Sequence, residues 1–354
     1  MNEDGEQKRM KLLFVGLDGL SFETFQEFEM PFLRAISQEG VRAKLISFDN
    51  PYMATGPVWA SVQTGLPPEG HGVQGVNAGN WHTAAFKSEV KTVWRMLNER
   101  GTKCGVVNFP VTYPLRPVDA FVVCGFPAPW EHEGTKNPWQ KVELRGALFW
   151  PEEIGPYIGT FRSAWMNYVR PEEFPDTHAP YRQALEGDRD AQRYMMSLLY
   201  RSLHETARLT FDLMRNYSVD LMAAVFMETD TMGHFGASLP RVHRPLFLRE
   251  VDDVVGSVFA ASGAENIIVM SDHGCWGKKH TKEGVFLAAG PAFSHAPEGA
   301  IEVLEVAPTI LYLWNVYDAR LPKEPAYRFL SSGEVGDKEQ HQIRERLRAL
   351  GYLE

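Results

Sequence analysis

The chain has 354 residues, of which 44% are hydrophobic and 23% are charged, an ordinary composition for a globular protein. Its net charge of -9 argues against a nucleic acid or an anionic membrane as a partner, because both repel an acidic surface. The three cysteines are scattered, and no apolar run is long enough to span a membrane, so we expect a cytoplasmic protein. These features leave the oligomeric state open.

Predicted strands and helices alternate along most of the chain. The run KLLFVG at residues 11–16 is apolar throughout, as expected of a strand that is buried on both faces. Further strands are predicted at residues 41–48, 103–109, 221–227 and 266–270, and helices at residues 30–39, 89–100, 188–216 and 246–261. The alternation predicts an α/β protein, a three-layer sandwich around a mostly parallel sheet.

Residues 126–187 differ in composition from the rest of the chain. They are rich in proline and aromatic residues, and their hydrophobic periodicity is weak. We interpret them as a cap inserted over the active site, with residues 1–125 and 188–354 forming the core. An ordinary irregular connection is the alternative, because long functional loops and plain connections look alike in sequence.

A candidate nucleophile lies in the stretch ATGPVWASVQTGLPPEGHG, residues 54–72. Pro57 suits a first helical turn and Gly65 predicts the end of the helix, so Thr55 is expected near the helix N-terminus. Backbone N–H groups and the positive end of the helix dipole stabilise a phosphate or an alkoxide there. The alternative is that Thr55 is a plain N-cap, a position where threonine is common.

Acidic and histidine side chains follow three of the predicted strands. Carboxylates come near the strand ends at Asp18, Asp230 and Asp272, where ligands bind in open α/β sheets. Histidines stand close by in sequence, at His234, His273 and His280. Singly, each histidine is more often a satisfied polar residue, but the set suits zinc, or manganese or iron, and its size suits two divalent metal ions.

In their order along the chain, these motifs closely resemble the alkaline phosphatase superfamily, and within it the type I phosphodiesterase/nucleotide pyrophosphatase family. The motifs are Asp18, the TG…P…HG element after Thr55, the DxxGH motif at residues 230–234, the SDHG motif at residues 271–274, and His280. The resemblance covers roughly residues 11–316 outside the cap. It implies one zinc ion held by Asp18, Thr55, Asp272 and His273, and a second held by Asp230, His234 and His280. It also implies a structural role for His71.

The resemblance implies an asparagine that contacts a phosphoryl oxygen shortly after the HG turn. Val76 occupies the gapless position here, so Asn77 and Asn80 are the candidates. Lys278 and Lys279 precede a proposed ligand and are interpreted either as phosphate contacts or as solvated loop lysines.

The function expected from this set is a metal-dependent phosphoric ester hydrolase that acts on a small-molecule substrate. Its two metals would assist cleavage of a phosphodiester or a nucleotide pyrophosphate-type bond, with Thr55 as the catalytic nucleophile and a phosphothreonine intermediate. Diesters are expected to be preferred over monoesters, because the helix after Thr55 carries no cation. The alternatives are a phosphomonoesterase or phosphonate hydrolase of the same superfamily, a phosphomutase, and a non-catalytic metal-binding protein.

Overall fold

A computed structural model describes residues 9–75, 86–128, 147–163, 168–169, 176, 178–277, 279–295 and 298–331. Nine strands form one sheet in the order β11-β2-β10-β7-β1-β6-β3-β4-β5, and β8 and β9 form a separate hairpin. The strands are β1 Leu12–Leu17, β2 Val41–Ile46, β3 Cys104–Phe109, β4 Ala120–Cys124, β5 Phe149–Trp150, β6 Leu221–Phe226, β7 Asn266–Met270, β8 Gly274–Trp276, β9 Lys279–Thr281, β10 Glu283–Ala289 and β11 Gly299–Glu302.

Helices lie between most of these strands. They are α1 Phe22–Glu27, α2 Pro31–Glu39, α3 Thr55–Thr64, α4 Pro68–His71, α5 Val93–Asn98, α6 Gly155–Ile158, α7 Ala179–Leu185, α8 Arg189–Asn216, α9 Glu228–Phe235, α10 His243–Ser262 and α11 Val303–Tyr312. Short 3-10 helices lie at Glu152–Ile154, Gly236–Ser238 and Tyr327–Phe329. No helix in the described ranges is both long enough and apolar enough to cross a lipid bilayer.

Two apolar cores cover the two faces of the sheet. Alternate residues of β1 divide between them, with Leu13 and Val15 in one core and Leu12 and Phe14 in the other. The first core also takes in side chains of α2, α8 and α10, and the second takes in side chains of α3, α5 and α11. This arrangement of helices, sheet and helices confirms the predicted three-layer sandwich.

The central strands β7, β1 and β6 are adjacent and parallel, with Leu12 opposite both Leu221 and Asn266. Their carboxyl ends therefore meet at one edge of the sheet. Asp18 directly follows β1, Asp272 lies two residues after β7, and Asp230 lies in the first turn of α9, just beyond β6. This topology brings together three carboxylates that are far apart in sequence.

The sheet departs from a simple parallel alternation at β10, which runs antiparallel to both β2 and β7. β10 was not among the predicted strands, and its direction is not evident from the sequence either, since a buried apolar run looks the same in either direction. Within residues 126–187, β5 pairs antiparallel with β4 at the sheet edge, and Ile154, Ile158 and Phe161 are buried in the first core. That residues 126–187 cover the active site stays a prediction.

Candidate active site

Asp18 is the centre of one half of the site. It is fully buried, and both of its carboxylate oxygens accept hydrogen bonds from α3. The Thr55 hydroxyl donates to Oδ1 at 3.3 Å, and the buried indole Nε1 of Trp59 donates to Oδ2 at 2.8 Å. Trp59 was not among the predicted site residues, because a tryptophan inside a helix is usually only a core residue. Here the tryptophan fixes the rotamer of a carboxylate beside the candidate nucleophile.

Thr55 is the first residue of α3, and Ala54 occupies the N-cap position without a side-chain capping bond. The plain N-cap alternative for Thr55 is therefore wrong, because the hydroxyl bonds to Asp18 instead of to the helix backbone. The rest of α3 is buried from Gly56 to Thr64, and the helix ends at Gly65 in the left-handed conformation with a φ of 70°. The helix thus holds the half-buried Thr55 at the edge of the core.

Asp272 and His273 follow β7 and are both fully buried. The backbone N–H of Gly19 donates to Asp272 Oδ1 at 3.1 Å. Asp272 Oδ2 and His273 Nε2 lie 3.1 Å apart, yet neither has a hydrogen-bond partner among the described residues. We call Asp18, Thr55, Asp272 and His273 the inner group. Two unpartnered polar atoms at such depth are costly, unless a cation binds between them.

The outer group consists of Asp230, His234 and His280. His234 Nε2 lies 3.4 Å from Asp230 Oδ2, His280 Nε2 lies 3.6 Å from Asp230 Oδ1, and the two Nε2 atoms are 3.1 Å apart. Ligand atoms of a tetrahedral zinc site, with bonds of 2.0–2.1 Å, lie about 3.3 Å from each other. The spacing of the outer group therefore fits one divalent metal ion.

The other ring nitrogen of each histidine is held by a backbone carbonyl. Nδ1 of His234 lies 2.7 Å from the Gly277 oxygen, Nδ1 of His280 lies 3.2 Å from the Met53 oxygen, and Nδ1 of His273 lies 3.2 Å from the Gly274 oxygen. A carbonyl oxygen only accepts, so each Nδ1 carries the proton and each Nε2 presents a lone pair. Metal-ligating histidines in proteins are oriented in the same way.

Three carboxyl groups lie close together in the site, and the described protein atoms do not fully offset their negative charge. Burial, together with the charges of Asp272 and Asp230, raises the pKa of Asp18 well above its usual range. Burial raises the pKa of Asp272 in the same way. Burial would also raise the pKa of Asp230, but its contact with His234 and its neighbouring histidines lower it overall. Divalent cations would remove the strain of three carboxylates in one buried space, so the donor set fits metal ions.

The site contains two sets of possible ligand atoms, and within each set all the atoms lie within 4.8 Å of one another. One set joins Asp18, Asp230 and His273, so Asp230 belongs to both halves of the site, whereas the sequence suggested two separate groups. The other set joins Asp230, His234, His280 and Cys275. Cys275 was missed because a lone cysteine after the SDHG motif carries no spacing signal.

The substrate-binding candidates stay predictions. Asn77, Asn80 and Lys278 lie outside the described residues. Lys279 is exposed and pairs with Trp276 across the β8–β9 hairpin, in the register next to the Cys275–His280 pair. Because side chains alternate along a strand, Lys279 lies on the opposite face of the hairpin from His280. This register does not favour a contact between Lys279 and a phosphate held by His280.

His71 is hydrogen-bonded to Ser61 of α3 and to the backbone of Val73 rather than to the candidate metal ligands. Its Nδ1 accepts from the Val73 backbone N–H at 3.1 Å, and its Nε2 lies 3.0 Å from the Ser61 hydroxyl. Burial lowers the pKa of His71 to about 4, which keeps the ring neutral. Both ring nitrogens are partnered, in contrast to His273, so the contacts of His71 are those of a structural residue.

The family model for type I phosphodiesterase/nucleotide pyrophosphatase matches residues 12–299. No curated protein matches the sequence. Human ectonucleotide pyrophosphatase/phosphodiesterase 5 is similar in structure, with a TM-score of 0.56, 13% identity, and coverage of 91% of this chain and 100% of the human chain. An inactive threonine-to-alanine variant of the murine protein, in complex with AMP, gives a TM-score of 0.55 at 13% identity, with coverage of 91% and 100%.

The structural likeness agrees with the fold, and the family match spans most of the chain, including every residue of the inner and outer groups. These findings confirm the family resemblance of the sequence motifs. The chain belongs to the type I phosphodiesterase/nucleotide pyrophosphatase family, a family of phosphoric ester hydrolases.

Proposed function

We propose that this protein is a two-metal hydrolase that cleaves a phosphodiester or a nucleotide pyrophosphate-type bond through a phosphothreonine intermediate. The observation that carries the proposal is the hydrogen bond from the Thr55 hydroxyl to Asp18, at the meeting point of two groups of metal-ligand side chains. A hydroxyl with this partner is placed to act as a nucleophile rather than as a helix cap.

The inner group would hold one metal ion, and the outer group would hold the second. Zinc is the favoured metal for sets of carboxylate and imidazole ligands, and manganese or iron also bind them. When bound, such ions lower the pKa of an attacking oxygen and offset the charge that develops on the leaving oxygen. The unpartnered atoms of Asp272 and His273 support the inner position, and the spacing of His234 and His280 supports the outer one.

In the first step, the Thr55 oxygen forms a bond to phosphorus while the bond to the leaving oxygen breaks. Asp18 accepts the hydrogen bond of the hydroxyl and orients its oxygen, while the proton leaves to solvent from the half-buried Thr55 and the leaving oxygen takes a proton from solvent. Trp59 holds Asp18 in this orientation. In the second step, water hydrolyses the phosphothreonine and restores the hydroxyl. The N-terminus of α3 stabilises negative charge on the phosphoryl oxygens throughout.

A small-molecule phosphate ester is the proposed substrate class, and the murine relative that was solved with AMP is consistent with it. That relative is an inactive threonine-to-alanine variant, which agrees with a threonine nucleophile. A cytoplasmic location, and the lack of nucleic-acid or membrane partners, stay proposals from the composition.

The nucleophile is tested by Thr55→Ala, with Thr55→Ser as a partial rescue and Thr64→Ala, at the other end of α3, as the control. Hydrolysis of an aryl phosphodiester should fall about a thousandfold in Thr55→Ala, because no other oxygen takes its place. Metal content should stay near two ions per chain by elemental analysis, about the wild-type value, since the other ligands remain. Residual activity within about tenfold of wild type would contradict the assigned role.

Chelation separates the main alternatives. A two-metal hydrolase loses turnover when a chelator is added and regains it with zinc, whereas a non-catalytic binding protein has no turnover to lose. A mutase would return the phosphoryl group to an acceptor rather than release inorganic phosphate. Release of phosphate or a phosphomonoester from the diester, without an added acceptor, is the expected result.

A further inference from the structure

Cys275 lies inside the outer group. Its side chain is only 2% exposed, and its sulfur lies within 4.8 Å of the ligand atoms of Asp230, His234 and His280. The position is therefore more than a buried thiol in an apolar core.

The β8–β9 hairpin directs Cys275 toward the same space as His280. The two residues are cross-strand partners, so their side chains stand side by side on one face of the hairpin. Trp276 and Lys279 form the next pair and take the other face. The pairing register thus couples the cysteine to a histidine of the outer group.

A glycine of helix α9, Gly233, makes space for this thiol. A Cβ at Gly233 would come within 2.9 Å of both the Cβ and the sulfur of Cys275, so only glycine fits here without displacing the cysteine. The Gly277 N–H donates to the Gly233 oxygen at 2.9 Å and holds the hairpin against α9. Gly233 is the third residue after Asp230 and precedes His234, so the close approach occurs between two ligands.

Unpartnered buried atoms lie in the outer group and beside it. Asp230 Oδ1 is buried and has no hydrogen-bond partner in the described part of the chain. Beside this group, Nε2 of the fully buried His273, a residue of the inner group, also lacks a partner among the described residues, and its ring stacks on His280 with ring centroids 4.1 Å apart. Such atoms point to a cation as the missing partner, independently of the cysteine.

We propose that Cys275 is a fourth protein ligand of the outer metal ion, which makes this position selective for zinc over manganese and magnesium. A thiolate is a soft ligand that zinc accepts readily, whereas magnesium and manganese favour oxygen ligands. On binding, the sulfur bonds to the metal and the thiol proton leaves to solvent, with no change in oxidation state. Zinc also accommodates five ligands, so a position for a substrate oxygen remains.

The inference rests on the metal centre of the proposed function. A competing role is that the thiol only positions Asp230 by a hydrogen bond. The variant Cys275→Ser separates the two roles, because a serine hydroxyl still donates to a carboxylate but is a poor soft-metal ligand. Cys104→Ser is the matched control, since Cys104 is also buried and, at the start of β3, donates to the carbonyl oxygens of Trp94 and Thr102.

The test is the absorption spectrum of the full-length protein loaded with cobalt(II) in place of zinc. The wild-type protein should show a thiolate-to-cobalt charge-transfer band in the near ultraviolet, in addition to the visible bands of tetrahedral cobalt. Cys275→Ser should lose the charge-transfer band and Cys104→Ser should keep it. Zinc binding, measured by competition with a chelator, should weaken about tenfold or more in Cys275→Ser, while manganese binding stays within about threefold.

Each outcome separates the inference from the proposed function. Visible cobalt bands without a charge-transfer band in the wild-type protein would overturn the thiolate ligand and leave the metal centre standing. Wild-type zinc affinity in Cys275→Ser would overturn it as well and indicate the positioning role. No bound cobalt in any variant would overturn both. If Cys275→Ser fails to fold by circular dichroism, the wild-type and Cys104→Ser spectra still decide the question.

Discussion

The inner and outer groups supply similar ligands but are built differently. Asp18, Asp272 and His273 of the inner group are fully buried and follow central strands of the sheet. In the outer group the side chains of Asp230, His234 and His280 are 19%, 27% and 25% exposed, and they come from a short helix and a hairpin. The comparison indicates that the inner group is fixed by the core, whereas the side chains of the outer group are partly open to solvent.

Electrostatics separates the groups in the same way. Burial and neighbouring like charges raise the pKa of Asp18 and Asp272, so the inner carboxylates are poorly stabilised as anions without a cation. In the outer group the histidines keep the pKa of Asp230 low, despite its burial, and Asp230 in turn raises the pKa of His234 above the value that burial alone would give. In the metal-free protein, the inner group therefore destabilises the fold more than the outer group does.

The largest effect is expected from breaking the inner group with Asp272→Asn. The amide oxygen can still accept from the Gly19 N–H, and the amide nitrogen can donate to His273 Nε2, 3.1 Å from the atom that it replaces. The metal-free variant should gain about 1–2 kcal/mol in the free energy of unfolding, because two unpartnered atoms become bonded and a buried charge is removed. Activity should fall about a thousandfold with the loss of a metal ligand.

Chemical denaturation of the metal-free proteins and a diesterase assay check both halves of this prediction. A destabilised Asp272→Asn protein would show that the inner carboxylate is satisfied without a metal. Asp252→Asn is the control, since Asp252 is also buried but accepts from the backbone N–H groups of Phe32 and Leu33, and its loss should destabilise the fold.

His280→Ala should break the outer group alone. It should lower activity about a hundredfold and reduce the metal content from about two ions to about one, because His280 is not among the ligands assigned to the inner group. Asp230→Ala should disturb both positions, since Asp230 lies within ligand distance of Asp18 and His273 as well. Elemental analysis decides, with His204→Ala as the control, because His204 is exposed and pairs with Glu250. Loss of both metals in a folded His280→Ala protein would argue against separable groups.

The substrate preference is the next prediction: diesters should be cleaved more efficiently than monoesters. The side chains of the outer group are partly exposed, and none of the α3 residues after Thr55 is charged to balance the extra negative charge of a monoester. The kcat/KM for a matched aryl diester should exceed that for the monoester about tenfold. A ratio favouring the monoester by more than about tenfold would contradict this, and Lys278→Ala and Lys279→Ala would then be the variants to make.

His71 provides the smallest expected effect on activity, because both of its ring nitrogens are partnered and it contacts no metal ligand. His71→Gln should keep activity within about threefold but remove a pH dependence of stability. Burial lowers the pKa of His71 from 6.5 to about 4, so the unfolded chain binds the extra proton first as the pH falls. The free energy of unfolding should therefore drop by up to about 3 kcal/mol between pH 6.5 and pH 4 in the wild type.

Denaturation curves at several pH values test this. The variant should be less stable than wild type at pH 7, and the difference should shrink as the pH falls toward 4, since the penalty exists only in the wild type. A difference that does not change with pH would contradict the assignment.

Much of the fold and of the site could be predicted from the sequence, because buried parallel strands are apolar throughout and their carboxyl ends carry the ligands. The strand predicted at residues 266–270 matches β7, and the helix predicted to begin near Thr55 and end at Gly65 matches α3. The direction of β10 could not be predicted, because direction depends on neighbours that are distant in sequence.

The contacts that orient the site residues could not be predicted from the sequence either. The Met53 oxygen that orients His280, the indole of Trp59 on Asp18, and the thiol of Cys275 all arise from tertiary packing. The pairing of Cys275 with His280 depends on the register of a hairpin, which the short run of residues 274–281 does not specify.

The central claim is that the protein binds two metal ions, one in each group, with Thr55 beside the inner one. Anomalous diffraction at the zinc absorption edge, from crystals of the zinc-loaded protein, tests it most directly. Two anomalous peaks per chain are expected, one among Asp18, Asp272 and His273 and the other among Asp230, His234 and His280. A single peak, or peaks away from these side chains, would contradict it.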